Sequence, residues 1–230
     1  KKIRQEVSDR IGKEFIGTLE MDTIIYTMLD LEQFIGTKID WVTGLTFDET
    51  IARGKDNKIQ LPTPMRRFCT VEMKIEPIFK FWRENINEVV ETRIGFRANE
   101  TKRANTMIER CKPTNGIMTY KAIIGRSKTG NQNRWADIPY QIPSFPLIDD
   151  NIYKVEEYWK DKPVRFAYMN NCVGCMHRNP VLLKHMDNKE PNKMQWFIDK
   201  EKLAIESYNN NQWKPGMTYE SIRNTFTQTR

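Results

Sequence analysis

Apolar side chains at Ile3, Val7, Ile11 and Phe15 recur every fourth position, which predicts an amphipathic helix over residues 1–15. A stronger stripe follows at Ile24, Ile25, Met28, Leu31 and Ile35. Asp22 stands where an N-cap belongs and Gly36 where a helix would close. The alternating stretch Lys38–Thr43 (KIDWVT) predicts a short strand, and a short helix is expected from Phe47. Residues 70–84 carry another helical stripe with Pro77 inside it, so a first turn or a kink belongs there. A strand over 89–96, a helix over 100–110 and a strand over 117–125 come next. Residues 135–148 contain three prolines and read as loop. Helices are predicted over 151–159, capped by Asp149 or Asp150, then over 180–186, 191–207 and 219–226.

Alternation of helix and strand predicts an α/β protein with a mainly parallel sheet flanked by helices. Residues 1–150 are expected to form the α/β core and 151–230 a helical C-terminal region. The stretch 112–150 holds most of the turn residues and is the candidate junction or excursion.

Composition narrows the classes. With 39% hydrophobic and 29% charged residues in a 230-residue chain, the balance fits a globular core rather than disorder. No run is apolar enough to span a membrane, and no apolar segment follows the first lysines as a signal peptide requires. The net charge of +7 favours anionic partners, although acidic residues accompany the basic ones nearly throughout. The four cysteines, Cys69, Cys111, Cys172 and Cys175, are too few for a secreted disulfide scaffold. They point to a reducing, cytoplasmic setting in which a C-x-x-C pair serves metal or redox chemistry.

Four segments carry the candidate chemistry. In 62–77, Arg66, Arg67 and Lys74 surround Cys69 near a predicted helix start, a place that favours anions and thiolates; a surface arginine pair with a structural cysteine is the plain alternative. In 95–103, Gly95, Arg97 and Arg103 follow a strand and open a helix, where forked guanidinium groups can pair with phosphate or sulfate. Segment 145–150 serves packing and capping. In 171–177, Cys172 and Cys175 bracket Gly174, so both sulfurs can face one ion. Cys69 and Cys111, or His177 or His185 in place of either, would complete four ligands; a redox pair or two structural thiols are the competing readings.

Taken in order, PTPMRRFCTVEMKIEP, IGFRANETKR, FPLIDDNIYKVEEYW and NNCVGCMH resemble the phosphoadenosine-phosphosulfate (PAPS) reductase-like family, most closely its bacterial and phage members of uncertain substrate. FIGTLEMDTIIYTMLDLEQFIGTKIDWV is similar to their strand–helix–strand unit, and the resemblance covers roughly residues 15–200. It implies a Rossmann-like fold that binds an adenine nucleotide, ATP or PAPS. Arg66, Arg67 and Lys74 would lie along its anionic end, and Gly95, Arg97 and Arg103 in a second anion-binding turn. It also implies a 4Fe–4S cluster, or zinc, on Cys69, Cys172 and Cys175, with Cys111 as fourth ligand. The activities implied are sulfonucleotide reduction or ATP-dependent sulfur transfer, with a nucleic acid or a sulfur-donor protein as further partner.

Two departures qualify this. The family's Ser-Gly-Gly-x-Asp-Ser phosphate loop has no counterpart, and the chain contains no Gly-Gly pair. Either the first strand and loop precede Lys1, which the start without Met favours, or catalysis has been lost and a binding or assembly role remains. The tail beyond Trp213 also lacks the nucleophilic cysteine of the true reductases, which argues against thioredoxin-coupled PAPS reduction.

Overall fold

The computed structural model describes residues 2–208 and 211–225. The chain divides into two units, residues 1–77 with 163–230 and residues 78–162. A cut at residue 150 therefore lies inside the second unit, and the first is assembled from both ends of the chain.

The first unit contains α1 (Lys2–Ile11), α2 (Thr23–Ile35), α3 (Phe47–Ile51), α4 (Phe68–Thr70) and, beyond residue 162, α8 (Pro180–Lys189), α9 (Pro191–Ser207) and α10 (Tyr219–Thr225). Helix α1 stops four residues before Phe15, because Gly12 turns into the left-handed region at φ 67°. Helix α2 ends on Gly36 in the same conformation, whose N–H donates to the Glu32 carbonyl. Asp22 precedes α2 without capping it; its carboxylate instead accepts from Lys193 Nζ at 2.6 Å. Helix α3 opens on a reciprocal capping box between Thr46 and Glu49. The KIDWVT stretch pairs with no strand among the described residues. Its Ile39 N–H donates instead to the Glu32 carboxylate at 2.8 Å. Phe226, the last residue of the expected terminal helix, lies outside the described residues.

The core of this unit is apolar and aromatic. Leu183 and Met186 from α8, Met194 and Phe197 from α9, and Tyr219 and Ile222 from α10 are all buried. Phe47 meets Trp196, Phe197 and Trp213 edge-to-face, with ring centroids 5.3, 5.9 and 5.8 Å away, a favourable arrangement of ring quadrupoles. Glu201 is also buried there, accepting from the backbone N–H groups of Trp213 (3.1 Å) and Tyr219 (2.6 Å). Residue 165 is gripped by α2. Arg165 forks onto Asp30 with two 2.7 Å contacts, and its carbonyl accepts from Thr27 Oγ1 at 2.6 Å.

The boundary between units falls at Pro77. Helix α4 runs into a π-helical turn (Val71–Ile75) and then α5 (Glu76–Asn85). Proline has no N–H for the preceding turn and its ring crowds that turn. The helix accommodates it by widening: the Glu76 N–H reaches the Val71 carbonyl, five residues back. The irregularity expected at Pro77 is thus a π turn.

The second unit adds β1 (Val90–Arg93), α6 (Thr101–Cys111), β2 (Met118–Arg126), β3 (Asn133–Ser144) and α7 (Ile152–Trp159). The three strands form one sheet in the order β1-β3-β2. β1 pairs with β3 in parallel and β2 with β3 antiparallel. The protein is α/β, and its described sheet is small and mixed rather than mainly parallel. Phe79 and Trp82 of α5 pack on Ala122 and Tyr140 of the sheet.

The segment expected as loop is the longest strand. Pro139 and Pro143 sit within β3 because each lies where β3 has one neighbour. Pro139 stands opposite β2 only and Pro143 opposite β1 only, so the missing N–H can face the unpaired side. Helix α7 is capped by the Asn151 side chain, which accepts from the Lys154 N–H, and not by Asp149 or Asp150.

Candidate functional site

The C-x-x-C loop is shaped by its backbone. Asn171 adopts a left-handed φ of 68°, tolerated by Asn because its short side chain supports that conformation. The Cys175 N–H donates to the Cys172 carbonyl at 3.1 Å, and the Val173 N–H to the Leu19 carbonyl at 2.8 Å. Buried Arg178 gathers the preceding carbonyls, donating to Asn170 O at 2.5 Å and Cys172 O at 3.3 Å. Lys214 Nζ donates to the carbonyls of Met176 (2.9 Å) and Arg178 (3.1 Å). Tyr219, fully buried, donates its hydroxyl to the Gly174 carbonyl at 3.0 Å. A Cβ on Gly174 would stand 2.5 Å from the Phe197 ring, so only glycine fits.

Cys69 begins the other wall, on the short helix α4. Cys69, Cys172 and Cys175 line one cavity of about 740 Å³ together with Arg67, Lys74 and His177. Every residue lining it belongs to the first unit. Its volume falls in the range of small-molecule sites. Glu20 is the acidic counterweight: its carboxylate accepts from Lys74 Nζ at 3.1 Å. Arg67 contacts Thr70 Oγ1 at 3.4 Å. Arg66 closes the Thr63–Arg66 turn, exposed.

Burial favours the neutral forms of Cys172 and Cys69. Burial pushes the Cys172 thiol up to about 12; the Glu20 carboxylate adds to this and the Lys74 ammonium opposes it. Burial also raises Cys69, against hydrogen bonds from Thr70. Lys74 is raised overall: burial works against its charge, and Glu20 more than restores it. Burial, Arg67 and Lys214 lower His177. Among the described residues no group of three or more His, Cys, Asp or Glu side chains stands in an arrangement able to hold a metal ion. The three thiols line one cavity without forming a coordination shell.

Cys111 and the second predicted turn lie in the other unit. Cys111 ends α6 at 3% exposure, and burial raises its thiol. Gly95, Arg97 and Arg103 follow β1 and lead into α6, where the sequence places them. Their electrostatics differ from expectation, because Glu100 stands between the two arginines. It pairs with Arg97 at 3.4 Å and, more closely, with Arg103. Burial works against the Glu100 charge, yet the two guanidinium groups hold its pKa below the ordinary value. Arg103 also covers the Phe96 ring at 4.5 Å.

His185 is not placed with the thiols: its ring lies 5.3 Å from Tyr168, and its Nε2 is buried without a hydrogen-bond partner. Arg178, Lys214, Tyr219 and Glu20 were not legible as site residues. Arg178 follows the C-x-x-C motif by three positions, and a cation that close to the motif was the available signal.

No family model matches the chain. No curated protein and no solved structure matches it either. No helix among the described residues is long and apolar enough to cross a membrane.

Proposed function

We propose that this chain is a PAPS-reductase-like, Rossmann-related protein that takes an adenine nucleotide, ATP or a sulfonucleotide, beside a cysteine-ligated metal or iron–sulfur site. The observation that carries the reading is the meeting of Cys69 with Cys172 and Cys175, a hundred residues away in sequence, on one cavity that also presents Arg67 and Lys74. Cations suit the anionic end of a nucleotide. The thiols supply soft ligands once deprotonated, with Cys69, Cys172 and Cys175 as the set and reductive or sulfur-transfer chemistry as the class.

The test is calorimetric titration of anaerobically purified protein with ATP and with PAPS, alongside metal and sulfide analysis. Saturable binding is expected, weakened about tenfold by Arg67→Ala, the loss of one charge-assisted hydrogen bond. A protein that binds neither nucleotide and carries no metal would end this reading. A non-catalytic scaffold is the second reading. It is favoured by Glu20 and Glu100, which already occupy cations assigned to the nucleotide, and it predicts retained metal without nucleotide binding.

A further inference from the structure

The second unit carries a feature that the nucleotide reading does not use. β1 reaches only residues 141–144 of β3, so β2 and the first two-thirds of β3 continue as a two-stranded ribbon. Its tip, residues 127–132, is closed by a Ser127 N–H to Gln132 carbonyl bond of 2.7 Å and by Gly130 at φ 75°. Residues 121–136 contain four cations, Lys121, Arg126, Lys128 and Arg134, and no acidic residue. All four are exposed. None forms an ion pair among the described residues, whereas Lys74, Arg97, Arg103 and Arg165 all do. The nearest carboxylate along the ribbon, Asp137, lies opposite Lys121 in register.

The apolar content of the ribbon is also turned outward. Trp135 is 54% exposed, Ile123 and Ile124 45% each. Ala122 is buried against the core, so Lys121 and Ile123, its neighbours, face the other way. Ile123 pairs with Trp135 and Arg126 with Asn133. Directly paired residues share a face, as do residues two apart in a strand. One face of the ribbon therefore presents Lys121 with Asp137 opposite it, the Ile123–Trp135 pair, Arg126 and Asn133 over roughly 15 Å, whereas Arg134, next to Trp135 in the strand, points to the other face. An aromatic plane between cations is the surface on which an unpaired base can stack while its phosphates are neutralised.

We infer that the β2–β3 ribbon is a binding surface for single-stranded nucleic acid, with Trp135 as stacking platform and Lys121, Arg126 and Lys128 as phosphate contacts. The inference stands on the second unit alone and does not depend on the cavity of the first.

The test is fluorescence anisotropy of the full chain with a short fluorescein-labelled single strand and with the same sequence as duplex, over a salt series. Saturable single-strand binding is expected, with log K falling against log salt at a slope of about −2. Replacing Arg126 and Lys128 together by Gln should reduce the slope by about 1. Trp135→Ala should weaken single-strand binding about tenfold and leave the slope unchanged. Circular dichroism melts check that each variant stays folded. Should the double variant not fold, Arg126→Gln alone replaces it, with a slope change of about 0.7. Absence of binding, an unaltered slope in the charge variant, or equal competition by polyglutamate would overturn the inference. Duplex binding as tight as single-strand binding and indifferent to Trp135→Ala would overturn it too.

Discussion

Single residues decide whether the cysteine loop holds its shape, and Gly174 is the sharpest case. The sequence marks it as the flexible middle of a C-x-x-C turn. Its actual constraint is the Phe197 ring, 2.5 Å from where a Cβ would stand. That partner is more than twenty residues away, and no local pattern reveals it. Gly174→Ala should destabilise the first unit by about 1–3 kcal/mol, as overpacking does, read as a lowered midpoint in urea. Glu201 is comparable. Its negative charge within the apolar stripe of α9 reads as surface, yet it satisfies two buried N–H groups. Glu201→Ala should cost about 1–3 kcal/mol for each donor left unpaired, measurable by the same unfolding curve. Burial raises the Glu201 pKa against those two hydrogen bonds. Its proton is held more tightly in the fold, so this group's contribution is present at low pH and fades as pH rises through the folded value.

At the scale of elements, helices were far more legible than strands. Stripes with a 3.6-residue period, closed by Gly36 or opened by Pro180 and Pro191, locate α2, α8 and α9 within a few residues. β3 was hidden because its prolines punctuate the pattern, and only the stagger of its two neighbours makes them admissible. The turn after β1 was foreseen in place but not in charge, since Glu100 reads as one more helix-start carboxylate until its two arginine partners are seen. Glu100→Gln releases Arg97 and Arg103 together. It should strengthen binding of an anionic nucleotide several-fold if this turn receives phosphate, and leave binding unchanged if it does not; calorimetry distinguishes the two. The junction of α2 with residue 165 carries a pH signature. The Arg165 guanidinium holds Asp30 down at about 2, against an ordinary value of 3.8. A depressed carboxylate contributes stability above its ordinary value and loses it as pH falls through the folded value. Asp30→Asn should therefore lower the melting temperature at neutral pH, and that difference should shrink between about pH 4 and pH 2.

For the whole molecule, the sequence names the cysteines as candidates without showing where each lies. Their spacing marks Cys172 and Cys175 at once, and the family resemblance adds Cys69. The discontinuous division of the chain, which puts Cys111 in the other unit, has no signature in composition. If the proposed metal site is the one on the first-unit cavity, serine at Cys69, Cys172 or Cys175 should lower bound metal in purified protein, and Cys111→Ser should leave the stoichiometry intact. Elemental analysis of the four variants checks this, and an equal loss from Cys111→Ser would return that residue to the ligand set.

The order in which the chain leaves the ribosome gives the first unit a distinctive history. Residues 78–162 are contiguous, so the second unit can fold while the rest is still being made. The Cys172–Cys175 loop emerges next, but the side chains that close over its backbone, Lys214 and Tyr219, come some forty residues later. During that interval the loop lacks the contacts that fix its backbone in the finished fold. A chain arrested before Lys214 should therefore react faster with a thiol-modifying reagent than the finished protein, and pulse-labelling of stalled nascent chains would measure the difference.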